Sequence, residues 1–144
     1  MSVRDPDEIF VKPEQIPSAC QGDLHPMTVK GIKLFDEGRY WEAHEALEAA
    51  WKDEPQPVRF LYQGILQAGI IYLQIERGNF QGMAKMAERC KKWLRPWPEQ
   101  CRGVDVGQLR ADVAAAVAEA GRLGPERLRE FNKSLFKKIK RVPQ

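Results

Sequence analysis

From Thr28 onward, apolar residues recur at intervals of three and four, and glycine- or proline-led breaks cut the pattern into helical lengths. Val29, Ile32, Leu34 and Phe35 predict a short helix that Gly38 ends. A second helix, about Tyr40 to Lys52, is rich in Ala, Leu and Glu and is closed by Pro55 and Pro57. A third, about Val58 to Arg77, is apolar on nearly every side through Phe60, Leu61, Ile65, Leu66, Ile70 and Ile71, which predicts a central place in a bundle. Gly64, Ala68 and Gly69 on it allow a neighbour to approach closely. Gly78-Asn79 supplies a turn, and Phe80 to Leu94 gives a fourth helix stopped by Pro96 and Pro98. Gly38-Arg39-Tyr40 and Gly78-Asn79-Phe80 hold equivalent places, so the chain reads as two helical hairpins in tandem.

The flanks differ. Residues 1–27 carry Pro6, Pro13, Pro17 and Pro26 without a sustained period, which predicts an extended arm. In residues 98–144, Leu109 to Ala118 has helical composition with Gly121 and Gly124 as terminators. Pro125 is then placed to open a last helix with the stripe Leu128, Phe131, Leu135 and Ile139. No segment shows strand alternation. The expected fold is all-α: an antiparallel helical bundle of two tandem hairpins over residues 28–97, preceded by the arm and followed by a C-terminal helical extension.

Composition narrows the function classes. Three cysteines, Cys20, Cys90 and Cys101, have no metal spacing and are odd in number, so reduced thiols are expected. The most apolar stretch, Phe60 to Ile75, is interrupted by Gln63, Gln67 and Gln74 and is too short to span a membrane. With a charged start and no apolar leader run, a cytoplasmic location is expected. The net charge of +3 argues for no particular partner. Lys133, Lys137, Lys138, Lys140 and Arg141 surround the last apolar stripe, and a basic amphipathic helix can touch RNA, DNA or an anionic membrane. No stacking platform or base-reading motif accompanies them, so the expectation is that this helix docks its stripe on the bundle and leaves the lysines in solvent. A homodimer is compatible with a small bundle that hides an apolar face.

The chemistry-bearing residues lie on the second helix. His44, Glu48 and Trp51 stand at offsets of zero, four and seven and share one face, flanked by Tyr40 and Leu47. Glu45 lies about 100° away from His44, and Glu42 falls on the far side. A buried histidine and carboxylate need partners, because each one lost costs on the order of 1–3 kcal/mol. Gln63 and Gln67, one turn apart on the third helix, are the candidates, which predicts that the two helices face each other through these side chains.

The run Phe35-Asp36-Glu37-Gly38-Arg39-Tyr40-Trp41-Glu42-Ala43-His44-Glu45-Ala46-Leu47-Glu48-Ala49-Ala50-Trp51, with Phe60-Leu61-Tyr62-Gln63-Gly64-Ile65-Leu66-Gln67 and Arg77-Gly78-Asn79, resembles the HxxxExxW family, domain of unknown function 309. The resemblance spans about residues 28–96. It implies a small helical protein without an established activity, with His44, Glu48 and Trp51 as signature and Gln63 and Gly64 as the second-helix part. It also carries the label of predicted metal-dependent hydrolase. On that reading, His44 and Glu48 bind one divalent ion that activates water, or act as an acid/base pair. A catalytic zinc usually takes three protein ligands, and the candidates for the third are Glu45, His25, Glu37 or a residue of a second subunit. On the structural reading, Glu48 hydrogen-bonds His44, Trp51 packs over the imidazole and the glutamines complete a satisfied polar cluster. A third likeness, of Gly38, Tyr40, Ala43, Ala50 and Pro55 to a tetratricopeptide hairpin, fails on its period of about 40 residues where such repeats run near 34. The sequence thus points to a binding or interaction module first and a metal-dependent hydrolase second.

Overall fold

The computed structural model describes residues 11–144. Among the described residues six α-helices carry the fold: α1 (Ile16–Ala19), α2 (Pro26–Asp36), α3 (Tyr40–Asp53), α4 (Arg59–Glu76), α5 (Phe80–Leu94) and α6 (Val106–Arg127). The one sheet among the described residues is a two-stranded antiparallel ladder of β1 (Gln100–Cys101) and β2 (Val104–Asp105). The architecture is an all-α bundle in which α2–α3 and α4–α5 form successive antiparallel hairpins.

The two hairpins are built by the same device. Each first helix ends on a glycine in left-handed backbone, Gly38 (φ 78°) and Gly78 (φ 70°). Around them the amides of Arg39 and Asn79 donate to the carbonyls of Leu34 and Gln74, both at 2.9 Å, while Gly38 and Gly78 donate to Phe35 and Ile75. This is the Schellman pattern twice, and it realises the equivalence legible in the sequence. At the far end of α2, Pro26 opens the helix and His25 caps it through Nδ1, which accepts the Met27 amide at 3.0 Å. The helix therefore begins two residues before Thr28.

Helix α4 is the central one: Leu61, Tyr62, Ile65, Ala68, Ile71 and Tyr72 are fully buried. Close packing runs through its glycines. A Cβ at Gly64 would stand 2.7 Å from Leu94 Cδ2 of α5, and one at Gly69 would stand 3.3 Å from Phe35 Cδ2 of α2. Gly31 of α2 plays the same part against Leu47 of α3, where a Cβ would meet Cγ at 2.6 Å. Each buried leucine or phenylalanine at these contacts contributes roughly 1.5–3 kcal/mol.

Three expectations are corrected at the flanks. Residues 13–19 form a short 3-10 turn and the single turn of α1, where the proline spacing predicts extended chain; the remainder of that prediction lies in residues outside those described. Cys20 and Cys101 are not free thiols but a disulfide, with Cα atoms 4.5 Å apart across 81 residues of sequence, and only Cys90 is free. An odd cysteine count left that pair unseen because the partner of Cys20 comes from the β1–β2 hairpin, which the sequence pattern does not announce.

The last helix is also absent. Helix α6 kinks at Gly124 (φ 73°, ψ 176°), and beyond Arg127 the chain makes two 3-10 turns and then runs extended. Asn132 explains part of this, since its side chain takes the Ser134 amide at 3.0 Å and so competes with a helical bond. The apolar stripe docks as expected: Leu128, Phe131 and Ile139 are buried, and Lys133, Lys137, Lys138 and Lys140 are exposed. The extended end is held by Val142 N–H to Gly103 O at 2.8 Å, Asp105 N–H to Lys140 O at 2.9 Å and Ile139 N–H to Asp36 Oδ1 at 2.7 Å. Burial raises the Asp36 carboxyl above its ordinary range, against the lowering effects of the Ile139 amide, Lys138 and Arg141. No helix among the described residues is long and apolar enough to cross a membrane.

Candidate functional site

Helices α3 and α4 run antiparallel and in contact, as the placement of polar residues on them predicts. Two aromatic pairs fix their register: Trp51 meets Phe60 edge-on at 5.4 Å, and Tyr40 meets Tyr72 edge-on at 5.5 Å. Arg59 locks the first end, its guanidinium carbon 4.3 Å from the Trp51 ring centroid and its Nε donating to the Trp51 carbonyl at 3.1 Å. His44 lies between these anchors on α3, and Gln67 lies between them on α4.

The seam there is only partly satisfied. His44 Nε2 lies 3.6 Å from Glu48 Oε2, too long for a hydrogen bond. Glu48 turns its other oxygen to Lys52 Nζ at 3.2 Å. His44 Nδ1 and Gln67 Oε1 are buried with no hydrogen-bond partner among the described residues, and Gln67 is 4% exposed. The expectation that the glutamines complete the network is therefore not met at Gln67, whose oxygen is unpaired. Gln63 is half-buried one turn away.

The indole over the imidazole is Trp41, not Trp51. Trp41 stacks on His44 with centroids 5.0 Å apart and planes 18° apart, and Arg77, just past the end of α4, lies 5.9 Å from the Trp41 centroid. Trp41 is 49% exposed, and among the described residues Val29 is the other large apolar side chain so exposed. Its signal was the three-residue spacing from His44, which places it on the same face. Trp51 packs instead on Phe60 and on Trp93, 5.7 Å away. Tyr40 sits in a separate aromatic group with Phe35, Tyr72 and Phe136, its hydroxyl pKa raised by burial and by the nearby Glu76.

As a metal site the cluster is short of donors. Glu45 is exposed, Glu37 pairs with Arg39 at 3.7 Å, and His25 belongs elsewhere. Among the described residues no group of three His, Cys, Asp or Glu side chains is arranged to hold a metal ion.

A second polar network, which the sequence reading missed, ties the arm to the bundle. The Tyr62 hydroxyl accepts the His25 amide at 3.0 Å and donates to Glu54 Oε1 at 2.9 Å. Glu54 stands 3.9 Å from Arg102 Nη1, both side chains largely buried. Arg102, in left-handed backbone (φ 49°), donates through Nε to Ala19 O and through Nη1 to Asp23 O, each at 2.7 Å. Because His25 Nδ1 is an acceptor, the neutral ring carries its proton on Nε2 and donates it to Asp53 Oδ2 at 2.6 Å. Burial pushes the Tyr62 hydroxyl up to about 12, partly offset by the His25 amide. Every member has a partner, so the network braces the fold and is not an open site.

Comparison with known proteins finds a family similarity over the region that holds the seam. Residues 28–86 match the family described as Domain of unknown function (DUF309), a span from α2 into α5 that contains His44, Glu48, Trp51, Gln63 and Gln67. Over 80 residues, 54% of this chain, the sequence is 29% identical to an uncharacterized protein of Aquifex aeolicus (strain VF5) and covers 23% of that protein. The chain thus spans about a quarter of the length of that curated relative. The arm before α2, the β1–β2 hairpin, α6 and the extended C-terminal segment lie outside the family match.

Proposed function

We propose that this chain, whose residues 28–86 carry the DUF309 domain, is a binding module that takes a small polar ligand at the α3–α4 seam. The observation that carries the reading is the pair of unpartnered buried atoms, His44 Nδ1 and Gln67 Oε1, on facing helices beside an exposed aromatic, Trp41. Buried polar groups in folded proteins are almost always paired, and those that are not mark places where something else completes the hydrogen bonding. His44 Nδ1 can accept or donate with its tautomer, whereas Gln67 Oε1 only accepts. The fitting ligand therefore brings at least one N–H or O–H donor and a flat face for Trp41.

The test is a fragment screen by ligand-observed NMR with compounds that pair a planar ring with a polar donor, run on the native sequence, His44→Ala and Gln67→Leu. Hits that bind the native chain and neither variant support the reading. Hits that ignore both substitutions, or none at all, overturn it.

The second reading, a metal-dependent hydrolase, rests on the 3.6 Å approach of His44 Nε2 to Glu48 Oε2, within reach of a shared ion. It requires a third ligand from outside the described cluster. Metal analysis of untagged protein decides: stoichiometric metal that disappears in Glu48→Gln favours it, and metal-free protein removes it. Our reading keeps the cytoplasm as the compartment, where the Cys20–Cys101 bond would rely on shielding by the buried Cys101. It leaves the four lysines of the C-terminal segment solvated, and it admits a homodimer, whose presence sedimentation would report.

A further inference from the structure

Away from the α3–α4 seam, helices α5 and α6 diverge over a cavity of about 610 Å³, well inside the range of small-molecule sites. Its floor is Cys90, Leu94 and Val113, all buried, and its walls are small: Ala87, Ala114 and Ala118 leave the space that larger side chains would fill. Charge is distributed along it unevenly. Lys91, Arg95 and Arg110 stand toward the end where the C-terminus of α5 meets the start of α6, while Ala87, Val117 and Ala118 line the other end, with Glu88 as the one carboxylate. The two ends are two helical turns apart, roughly 10 Å.

Arg110 is partly committed: its Nη1 donates to the Leu94 and Trp97 carbonyls at 3.0 and 2.9 Å, and its Nη2 to exposed Glu99 at 3.3 Å. Lys91 and Arg95 are exposed and have no carboxylate partner among the described residues. Cys90 donates its S–H to the Gly64 carbonyl at 3.5 Å and serves as floor. The cavity is therefore an apolar slot with cations gathered at one end.

We propose that this slot binds a free, medium-length acyl carboxylate, its tail laid along Ala87, Val113, Val117 and Ala118 and its head against Lys91 and Arg95. Two features select that chemistry over a neutral or cationic apolar molecule. Two unpaired cations, Lys91 and Arg95, one turn apart at the C-terminal end of α5, suit an anion, and Glu88, on the other side of Lys91 from Arg95, repels a head group placed toward Ala87 and so sets its direction. Every lining residue, from Ala87 to Ala118, lies outside the DUF309 match, so the slot is separate from the α3–α4 seam.

Decanoate, kept below its micelle concentration, is titrated into the full chain and followed by calorimetry and by amide NMR shifts. Saturable one-to-one binding is expected, with shifts confined to α5 and α6. Ala114→Trp places an indole in the slot from an exposed position and is expected to weaken decanoate by tenfold or more, roughly the loss of 1.4 kcal/mol, with its melting temperature recorded to verify folding. The double substitution Lys91→Glu with Arg95→Glu, both exposed, is expected to weaken decanoate similarly while favouring decylammonium. The proposal is overturned if decanol or decylammonium binds the native chain as well as decanoate, or if Ala114→Trp binds decanoate unchanged. It is equally overturned if sedimentation shows a dimer that Ala114→Trp dissociates, since a second copy then covers the slot.

Discussion

Trp41 lies flat on His44, ring planes 18° apart, so the imidazole at the centre of the seam is roofed by an indole from its own helix. The roof is half exposed, and its removal takes away little buried surface. Trp41→Ala is expected to lower stability by about 0.5–1.5 kcal/mol, the range for one aromatic pair. Its larger effect should fall on ligand capture. Denaturant melts read the first, and the NMR screen applied to this variant reads the second.

Gln67 gives the opposite sign. Its oxygen is buried and unpaired, so Gln67→Leu, which keeps the volume and removes the acceptor, is expected to stabilise the free chain by about 1–3 kcal/mol. A chain made more stable and unable to bind would show a polar residue kept at a cost to stability. A less stable Gln67→Leu would mean that the amide is satisfied in solution.

The cysteines separate cleanly by accessibility. Cys90 is buried, and burial pushes its thiol up to about 12, so the native chain should resist alkylation altogether. Unfolded without reductant it should take one alkyl group by mass spectrometry, and after reduction three, in line with the Cys20–Cys101 disulfide. Cys20→Ser is expected to cost about 2–5 kcal/mol, because a long loop is left open in the unfolded chain.

Alkaline titration tests the arm network. The Tyr62 hydroxyl is raised from 10.0 to about 12, so the folded state holds its proton more tightly than the unfolded chain does. That stability is fully present below pH 10 and is lost as the pH rises through about 12. Tyr72, also pushed up to about 12 by burial, adds in the same direction. Tyr62→Phe should reduce the steepness of alkaline unfolding followed by phenolate absorbance, at the expense of the bonds to His25 and Glu54.

What was legible in the sequence follows from where information is local. The Gly38 and Gly78 turns, the burial of α4 and the Gly64 and Gly69 contacts are all written in short-range pattern, and each is met in the structure. The fit of Phe80–Leu94 to its helix has the same origin. By contrast, the stripe Leu128, Phe131, Leu135 and Ile139 suits a helix, yet a mixed turn-and-extended run buries much of it as well, so spacing alone cannot choose. The Cys20–Cys101 bond and the Glu54–Tyr62–Arg102 network join residues far apart in the chain, and no local period announces them. At the site, the sequence located His44, Glu48 and Gln67 on facing helices but assigned the covering indole to Trp51. Trp41, three residues before His44, has the right height on the helix to stack.

The joining of Cys20 to the β1–β2 hairpin, and of the extended end to Gly103, also decides how the molecule would carry a mechanical load. Tension applied between residues 12 and 144 passes from the arm through the disulfide to Cys101. It would first part the Gly103–Val142 contact and then uncoil α6, while residues 21–100, which include both hairpins and the α3–α4 seam, stay off the covalent path. Reduction reroutes the same pull through the bundle. The oxidised chain should therefore yield in a short extension that stops with α2 to α5 intact, and the reduced chain in a longer one that does not.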